Sequence, residues 1–160
     1  MDGSPSQLLC DHMLIRLGRW LRAAGYDTVI AEAAASDRQL LDRAIREGRL
    51  LISRDRKLAE HRGAWKRVVI LEANDMTDCA REVTERLAID WLYDPFSRCL
   101  LCNRRLVQAS SDRHHGVPQT SVATADEIHW CPDCDKVYWP GGHVRRMQNR
   151  LARWRQRDFA

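Results

Sequence analysis

The sequence of 160 residues has little of what marks disordered, fibrous or membrane-spanning chains. Glycine occurs eight times and proline five times, while apolar residues make up 44% of the chain, so we expect a folded globule. No stretch approaches the roughly 20 apolar residues that cross a bilayer, and the first residues lack a basic start followed by an apolar run. We therefore expect neither a membrane span nor secretion by a standard signal.

Several common phosphate-binding and nucleophile motifs are also missing. The chain contains no GxGxxG and no GxxxxGK[ST], so dinucleotide and P-loop nucleotide binding lose their usual support. It has no GxSxG nucleophile elbow. The first predicted strand is followed by Asp11, His12 and Met13 rather than by a D-x-D pair, which disfavours phosphoaspartyl hydrolases. These absences disfavour the classes of function that depend on those motifs, and they do not by themselves indicate a function.

Four of the six cysteines form two CxxC pairs with 28 residues between them. Four thiolates complete the tetrahedral ligand set of zinc and leave no open position, which describes a structural site. We predict structural Zn²⁺ here, with disulfides or free thiols as the alternatives, and we expect a reducing, cytoplasmic compartment. The predicted ligands are Cys99, Cys102, Cys131 and Cys134.

Short apolar runs and amphipathic runs alternate four times over the first ninety residues. This alternation predicts an α/β fold with a parallel sheet flanked by helices. Ser36 and Gln39 have the spacing of a helix capping box, and Gly25 and Gly48 stand where helices end. The predicted strands are Gln7–Cys10, Tyr26–Ile30, Leu50–Ser53 and Val68–Leu71, and the predicted helices run from Met13 to Ala24, from Ser36 to Gly48, briefly after Arg54–Leu58, and from Asp75 to Leu87.

The composition changes near Asp94, where helical periodicity stops and the cysteine-rich section begins. We therefore predict one domain over residues 1–93 and a second over residues 94–160, a zinc ribbon with a C-terminal helix. Residues 96–160 carry 11 Lys or Arg against six Asp or Glu, which favours an anionic partner such as RNA. The last helix has an apolar face and a basic remainder that includes Arg145 and Arg146, so we predict RNA contact there, with a merely solvated basic helix as the alternative.

One aspartate lies beyond the end of each predicted strand. Asp11 follows the first strand and Asp37 opens the helix after the second; Asp55 and Asp75 follow the third and fourth. The carboxyl ends of parallel strands meet at one edge, and carboxylates gathered there favour a bound Mg²⁺ or Mn²⁺. The alternative is that each aspartate caps its own helix, in which case its carboxylate turns back onto that helix instead of pointing at a shared centre.

The stretch from Cys10 to Thr28, together with Gly48–Ala59, resembles the Mut-seven C-terminal ribonuclease family, a branch of the PIN-like nucleases. The Ser36-Asp37 helix start fits the same pattern. The two cysteine pairs and the segment Val137–His143 resemble that family's zinc-ribbon extension, so the resemblance covers nearly the whole chain.

The resemblance implies metal-dependent cleavage of RNA, with a 5′-phosphate and a 3′-hydroxyl as products and endonucleolytic action. It carries the catalytic acids onto Asp11, Asp37 and Asp55, with Asp75 as a looser fourth member. Cations near these acids are predicted to hold the RNA backbone, with solvated helix faces as the alternative. Two further options stay open: a non-catalytic RNA-binding or interaction module, and a homodimer. The predicted RNA-binding residues near the acids are Arg19, Arg22, Arg54 and Lys57.

Overall fold

Four parallel strands form a sheet in the computed structural model, which describes residues 7–62, 66–114, 116–122 and 127–159. The strands are β1 (Leu8–Cys10), β2 (Thr28–Ile30), β3 (Leu50–Ser53) and β4 (Val68–Ile70). Their order in the sheet is β2-β1-β3-β4, so β1 and β3 lie at the centre. In register, Leu9 of β1 pairs with Val29 of β2 and Leu51 of β3. The predicted parallel sheet is confirmed.

Helices follow each strand of this sheet. The first begins with a 3-10 turn at His12–Leu14, and α2 begins at the predicted capping box, where Ser36 Oγ accepts from the Gln39 N–H and the Gln39 side chain accepts from the Ser36 N–H. Gly48 ends α2 with a φ of 68°, a left-handed conformation that glycine adopts without strain. The helices are α1 (Ile15–Ala23), α2 (Asp37–Glu47), α3 (Lys57–Glu60) and α4 (Met76–Leu87).

The two faces of the sheet carry different helices because side chains alternate along each strand. Leu9 and Leu51 pack with apolar residues of α2 and α3 on one face. Leu8 and Ile52 pack on the other face with α1 and α4. The sheet is thus the middle layer of three, and its carboxyl edge stays open for the loops that carry the aspartates.

The cysteine-rich part contains the elements β5 (Val107–Gln108), α5 (Gln119–Val122), β6 (His129–Trp130), β7 (Val137–Tyr138) and α6 (Gly142–Arg155). Its three strands form a second, smaller antiparallel sheet in the order β5-β6-β7. The long α6 then returns to the first part of the chain. Trp154 of α6 is buried, with its ring centroid 4.9 Å from that of Trp20 and 4.8 Å from that of Trp91.

The apolar face of α6 is part of the larger core. Met147, Leu151 and Trp154 belong to the same buried cluster as residues of α1, α4 and β1. The division of the chain at residue 94 stays a prediction, and this packing means that the two parts share apolar contacts. In the described ranges, no helix combines the length and the apolar character needed to cross a membrane.

Candidate functional site

The carboxyl edge of the sheet joins two of the predicted acids through one serine. The Asp11 N–H donates to the Ile52 carbonyl at 2.9 Å, which continues the pairing of β1 with β3. The hydroxyl of Ser53, fully buried at the end of β3, donates to Asp11 Oδ2 at 2.6 Å and accepts the Asp55 N–H at 3.0 Å. Asp11 is only half-buried, so this bond fixes its carboxylate while leaving it open to solvent.

Asp55 is partly committed to its own turn. Its Oδ1 accepts the N–H of Lys57 at 2.9 Å, the side-chain-to-backbone bond of a helix start. The Asp55 side chain is half-buried, and no described residue bonds its second carboxylate oxygen. One oxygen of Asp55 therefore stabilises the start of α3, and the other is available to a ligand.

Asp75 is the N-cap of α4. Its Oδ1 accepts the N–H groups of Thr77 at 2.9 Å and Asp78 at 3.0 Å. Hydrogen bonding to the Asp78 side chain and to these backbone amides lowers the pKa of the exposed Asp75 carboxyl. The carboxylate thus turns back onto its own helix, as the capping alternative requires, and its place as a fourth catalytic acid gains no support from this geometry.

Asp37 is the first residue of α2, where Ser36 rather than Asp37 supplies the cap. Its side chain is half-buried, and none of the described residues forms a hydrogen bond or ion pair with it. No three of the predicted acids meet at metal-ligand distance. Over the described residues, the four cysteines are the one group of three or more His, Cys, Asp or Glu side chains whose ligand atoms all lie within 4.8 Å of one another.

That cysteine cluster consists of two turns with the same backbone pattern. The N–H of Cys99 donates to the Arg104 carbonyl at 2.8 Å, and the N–H of Cys131 donates to the Lys136 carbonyl at 2.9 Å. The residue after each second cysteine, Asn103 or Asp135, has a positive φ of 74° or 54°. These equivalent turns present four sulfurs to a common centre, as a structural zinc site requires.

Zinc–sulfur bonds of about 2.3 Å in a tetrahedron place the sulfurs about 3.8 Å apart. Cys102 Sγ and Cys131 Sγ lie 3.4 Å apart, so little adjustment is needed. Burial alone raises the pKa of the Cys99 thiol, but hydrogen bonds from Tyr138 Oη and from backbone amides outweigh it and lower the pKa to about 7. The surroundings of Cys99 therefore favour its thiolate, whereas the pKa values of Cys102, Cys131 and Cys134 are raised in the absence of a metal. The ligand set fits zinc.

The first cysteine turn is also bonded to the parallel sheet. Asn103 Oδ1 accepts the N–H of Thr28, the first residue of the edge strand β2, at 3.0 Å. Asn103 Nδ2 donates to Asp27 Oδ1 at 2.7 Å, and Arg49 Nη1 donates to the same oxygen at 2.8 Å. One side chain of the cysteine-rich part thus satisfies backbone and carboxylate groups of the parallel sheet.

The structure gives Arg22 a different role from the predicted contact with RNA. Its side chain is 4% exposed, and its guanidinium donates to the Thr28 carbonyl at 2.8 Å and to the Leu100 and Leu101 carbonyls at 3.0 and 2.8 Å. The sequence alone does not indicate that the carbonyl groups of Leu100 and Leu101, between the first two cysteines, contact a side chain of α1. Arg22 therefore joins α1, β2 and the cysteine turn, and it is not available to a phosphate.

The other predicted RNA-binding cations lie on the surface. Arg54 is half-buried and makes only long hydrogen bonds, 3.4 Å to Asn74 and 3.5 Å to the Met13 carbonyl. Arg145 donates to the Pro140 carbonyl at 2.9 Å. The exposed members of the predicted set are Arg19, Lys57, Arg145 and Arg146.

Two residues of the site escaped prediction as functional residues. Ser53 is the polar last residue of an otherwise apolar strand, and this polarity is the sequence feature that could have indicated a functional role. Tyr138, which donates to the cysteine cluster, gave no signal because its partner Cys99 lies 39 residues away. Long-range hydrogen bonds of this kind depend on the assembled fold.

A family model described as the Mut7-C RNAse domain matches residues 6–151 of the chain. Neither a search of curated proteins nor a search of solved structures found a significant match. The family match spans both the aspartates at the sheet edge and all four cysteines of the cluster.

Proposed function

We infer that this chain, which belongs to the Mut7-C RNAse domain family, is a metal-dependent ribonuclease that hydrolyses RNA phosphodiester bonds. The match over residues 6–151 carries this proposal, because it includes both the parallel sheet and the cysteine-rich part. A PIN-like arrangement of the sheet, endonucleolytic action and a cytoplasmic location are the finer parts of the same proposal. RNA is the partner that it requires.

The proposed catalytic centre lies at the carboxyl edge of the central strands β1 and β3. Asp11 and Asp55 are linked there through the Ser53 hydroxyl, and each keeps a carboxylate oxygen without a bond to any described residue. Hard carboxylate oxygens suit Mg²⁺ or Mn²⁺, so the donor set fits such a cation. Asp37 is a candidate for a further ligand from the neighbouring loop after β2.

Each residue has a distinct part in the proposed reaction. The Ser53 hydroxyl holds the Asp11 carboxylate in place, and the backbone pairing of Asp11 with Ile52 fixes its position relative to β3. Asp11 and Asp55 would hold the divalent cation, which when bound activates water and neutralises charge on the phosphate. Arg54 and Lys57, beside Asp55 in sequence, are placed to contact the RNA backbone.

The cysteine cluster is proposed to hold one structural Zn²⁺. Four thiolates around Zn²⁺ carry a net charge of −2, and because Cys99 and Cys131 are buried, part of that charge lies away from water and requires compensation. Arg22 is a buried cation that bonds to the turn between Cys99 and Cys102, so it offsets part of that charge. We therefore assign the zinc a structural role that extends into the catalytic sheet.

One observation favours the second candidate, a non-catalytic RNA-binding module. No three acids of the described chain come within ligand distance of one another, and Asp75 Oδ1 caps α4. Carboxylates that lack a cation repel one another, which accounts for their separation in a nuclease as well. The two candidates therefore differ in whether any RNA is cut.

The test is cleavage of end-labelled single-stranded and structured RNAs with Mg²⁺ or Mn²⁺. We expect Asp11→Asn and Asp55→Asn to reduce the cleavage rate by at least about 100-fold. Asp42→Asn, on the exposed face of α2, is the matched control and should cut at the rate of the natural sequence. RNA binding without cutting by any of these proteins would favour the binding module, and undiminished cutting by both variants would move the active site elsewhere.

A further inference from the structure

A cavity of about 590 Å³ lies where three parts of the chain meet. Its walls come from α1, from the turn at Leu100 and Leu101 between the first two cysteines, and from β7 with the start of α6. It belongs neither to the acidic edge nor to the cysteine cluster. Its size is that of a pocket for a small ligand or for one segment of a larger one.

Flat aromatic side chains form much of this cavity. Trp20, Tyr138 and Trp139 all line it and are all partly exposed. The Trp139 indole lies so close to Gly141 that a Cβ there would come within 2.9 Å of its Nε1. Gly141 therefore lets the Trp139 ring lie against the backbone. Leu101 adds an apolar surface that is 50% exposed.

The rim of the cavity carries positive charge without any acidic partner. Arg16, Arg19 and Lys136 line it and are exposed, and no described residue forms an ion pair or hydrogen bond with their charged groups. Among the described residues that line the cavity, none is Asp or Glu. Cations elsewhere on the protein, such as Arg43 and Arg86, are paired with glutamates. The cavity thus combines aromatic faces with cations that are available to an anion.

The position of the cavity relates it to the proposed catalytic centre. Arg16 lies in the first turn of α1, five residues after Asp11. A 3-10 turn followed by α-helix advances about 1.5–2 Å per residue, so the two backbones are about 9 Å apart along this path. An RNA strand that crosses the acidic edge can therefore continue along α1 into the cavity.

We propose that this cavity binds a single-stranded segment of the RNA substrate, with bases stacked on its aromatic side chains and phosphates on Arg16, Arg19 and Lys136. Aromatic platforms beside cations are the usual means of binding single-stranded nucleic acid without sequence preference. The proposal rests on the proposed ribonuclease function, since it names where that substrate is held. It also gives the cysteine-rich part a direct share in substrate binding through Lys136, Tyr138 and Trp139.

The first test measures RNA binding without cutting. Fluorescence anisotropy of a labelled single-stranded RNA, with the full chain and no added Mg²⁺ or Mn²⁺, gives the affinity at several salt concentrations. We expect Arg19→Gln and Lys136→Gln each to weaken binding about three- to tenfold and to reduce the slope of log K against log salt by about 0.7. Arg46→Gln, an equal loss of charge at the far end of α2, should change neither quantity.

The second test separates stacking from charge. Trp139→Phe keeps an aromatic face, whereas Trp139→Leu keeps only apolar bulk, so the Leu variant should lose at least about fivefold more affinity. Equal zinc content and equal thermal unfolding of the two variants establish that both fold. Affinity unchanged in the Arg19, Lys136 and Trp139 variants would overturn the proposal, even if the cavity then bound a peptide.

Failure of this inference is distinguishable from failure of the proposed function. If the chain cuts RNA and the cavity variants bind RNA normally, the cavity proposal is wrong and the ribonuclease proposal stands. If the cavity variants lose RNA affinity while no form of the protein cuts, the ribonuclease proposal is wrong and the cavity is an RNA-binding site.

Discussion

The buried guanidinium of Arg22 donates a 2.8 Å hydrogen bond to the carbonyl of Leu101, in the turn between two cysteines of the cluster. This bond joins residues 79 positions apart in the sequence. It makes the proposed zinc site and α1 interdependent, because the buried guanidinium loses two of its three carbonyl partners, those of Leu100 and Leu101, if the turn moves.

We expect Arg22→Met to destabilise the chain by about 2–4 kcal/mol, because the buried Thr28 carbonyl and the partly buried carbonyls of Leu100 and Leu101 lose a charged donor. Urea unfolding monitored by circular dichroism measures the change. Arg19→Met, which removes an exposed arginine of the same helix, is the control and should stay within about 0.5 kcal/mol of the natural sequence. If Arg22→Met lowers the free energy of unfolding no more than the control does, the proposed coupling between α1 and the cysteine turn is wrong.

Removal of zinc by a strong chelator should lower the thermal midpoint of the whole chain by about 10 °C. A ligand present at 1,000 times its Kd contributes about 4 kcal/mol, and a chain of this size shifts by about 2–4 °C for each kcal/mol. Calorimetry measures the shift, and hydrogen exchange should report faster exchange at Thr28, whose N–H donates to Asn103.

The matched variants for this experiment are Cys131→Ser and Cys79→Ser. The first removes a ligand of the cluster, whereas Cys79 is a buried cysteine outside it. We expect one zinc per chain in Cys79→Ser and a reduced content in Cys131→Ser, measured by atomic emission. Unchanged protection of β2 after zinc loss would show that the two parts are independent.

We expect the Asp27 carboxyl to make the free energy of unfolding depend on pH under acidic conditions. Burial by itself raises the pKa of this carboxyl, but hydrogen bonds from Arg49 and Asn103 outweigh it, and the net pKa is lowered. A lowered pKa in the folded state means that the stabilisation is fully present above the unfolded value of about 3.9 and is lost as the pH falls through the folded value.

The comparison is between the natural sequence and Asp27→Asn in urea at pH 7, 5, 4 and 3. The difference in unfolding free energy should be constant from pH 7 to pH 5 and should narrow below pH 4. A difference that is the same at pH 3 and pH 7 would show that the Asp27 carboxylate is not held by these partners.

Ser53→Ala should lower the cleavage rate more than it lowers stability. Loss of the hydroxyl removes the bond that holds the Asp11 carboxylate, and residues that orient metal ligands typically contribute 10- to 100-fold to metal affinity or activity. We expect a reduction of about that size, with a higher Mg²⁺ or Mn²⁺ requirement. If added metal restores none of the lost rate, Ser53 has a role other than orienting Asp11.

Local patterns predicted the α/β part well because its elements depend on neighbouring residues. The Ser36 capping box and the glycine end of α2 are both present where the spacing indicates. The cysteine spacing likewise predicted a cluster that fits zinc. These features need only a few residues in sequence order, so the physical signal is local.

The aspartates show where local patterns stop being sufficient. Asp55 and Asp75 each follow a strand and precede a helix, so the sequence fits both a site at the strand ends and a helix cap. Only the structure distinguishes the two roles. The position of Arg22 in α1 predicts a cation on the surface. Arg22 is buried instead, because its hydrogen-bond acceptors include carbonyl groups of a turn far along the chain. Side-chain partners of this kind are set by the packing of distant segments.

The packing of Trp154 against Trp20 and Trp91 has a consequence for synthesis on the ribosome. Trp154 follows Trp20 by 134 residues, which at about 5–20 residues per second takes about 7–27 s of translation. During that interval the growing chain has the sheet residues but lacks the helix that closes one side of them. We therefore expect the nascent chain to stay incompletely folded, with the carboxyl edge of its parallel sheet not yet fixed, until α6 has left the exit tunnel.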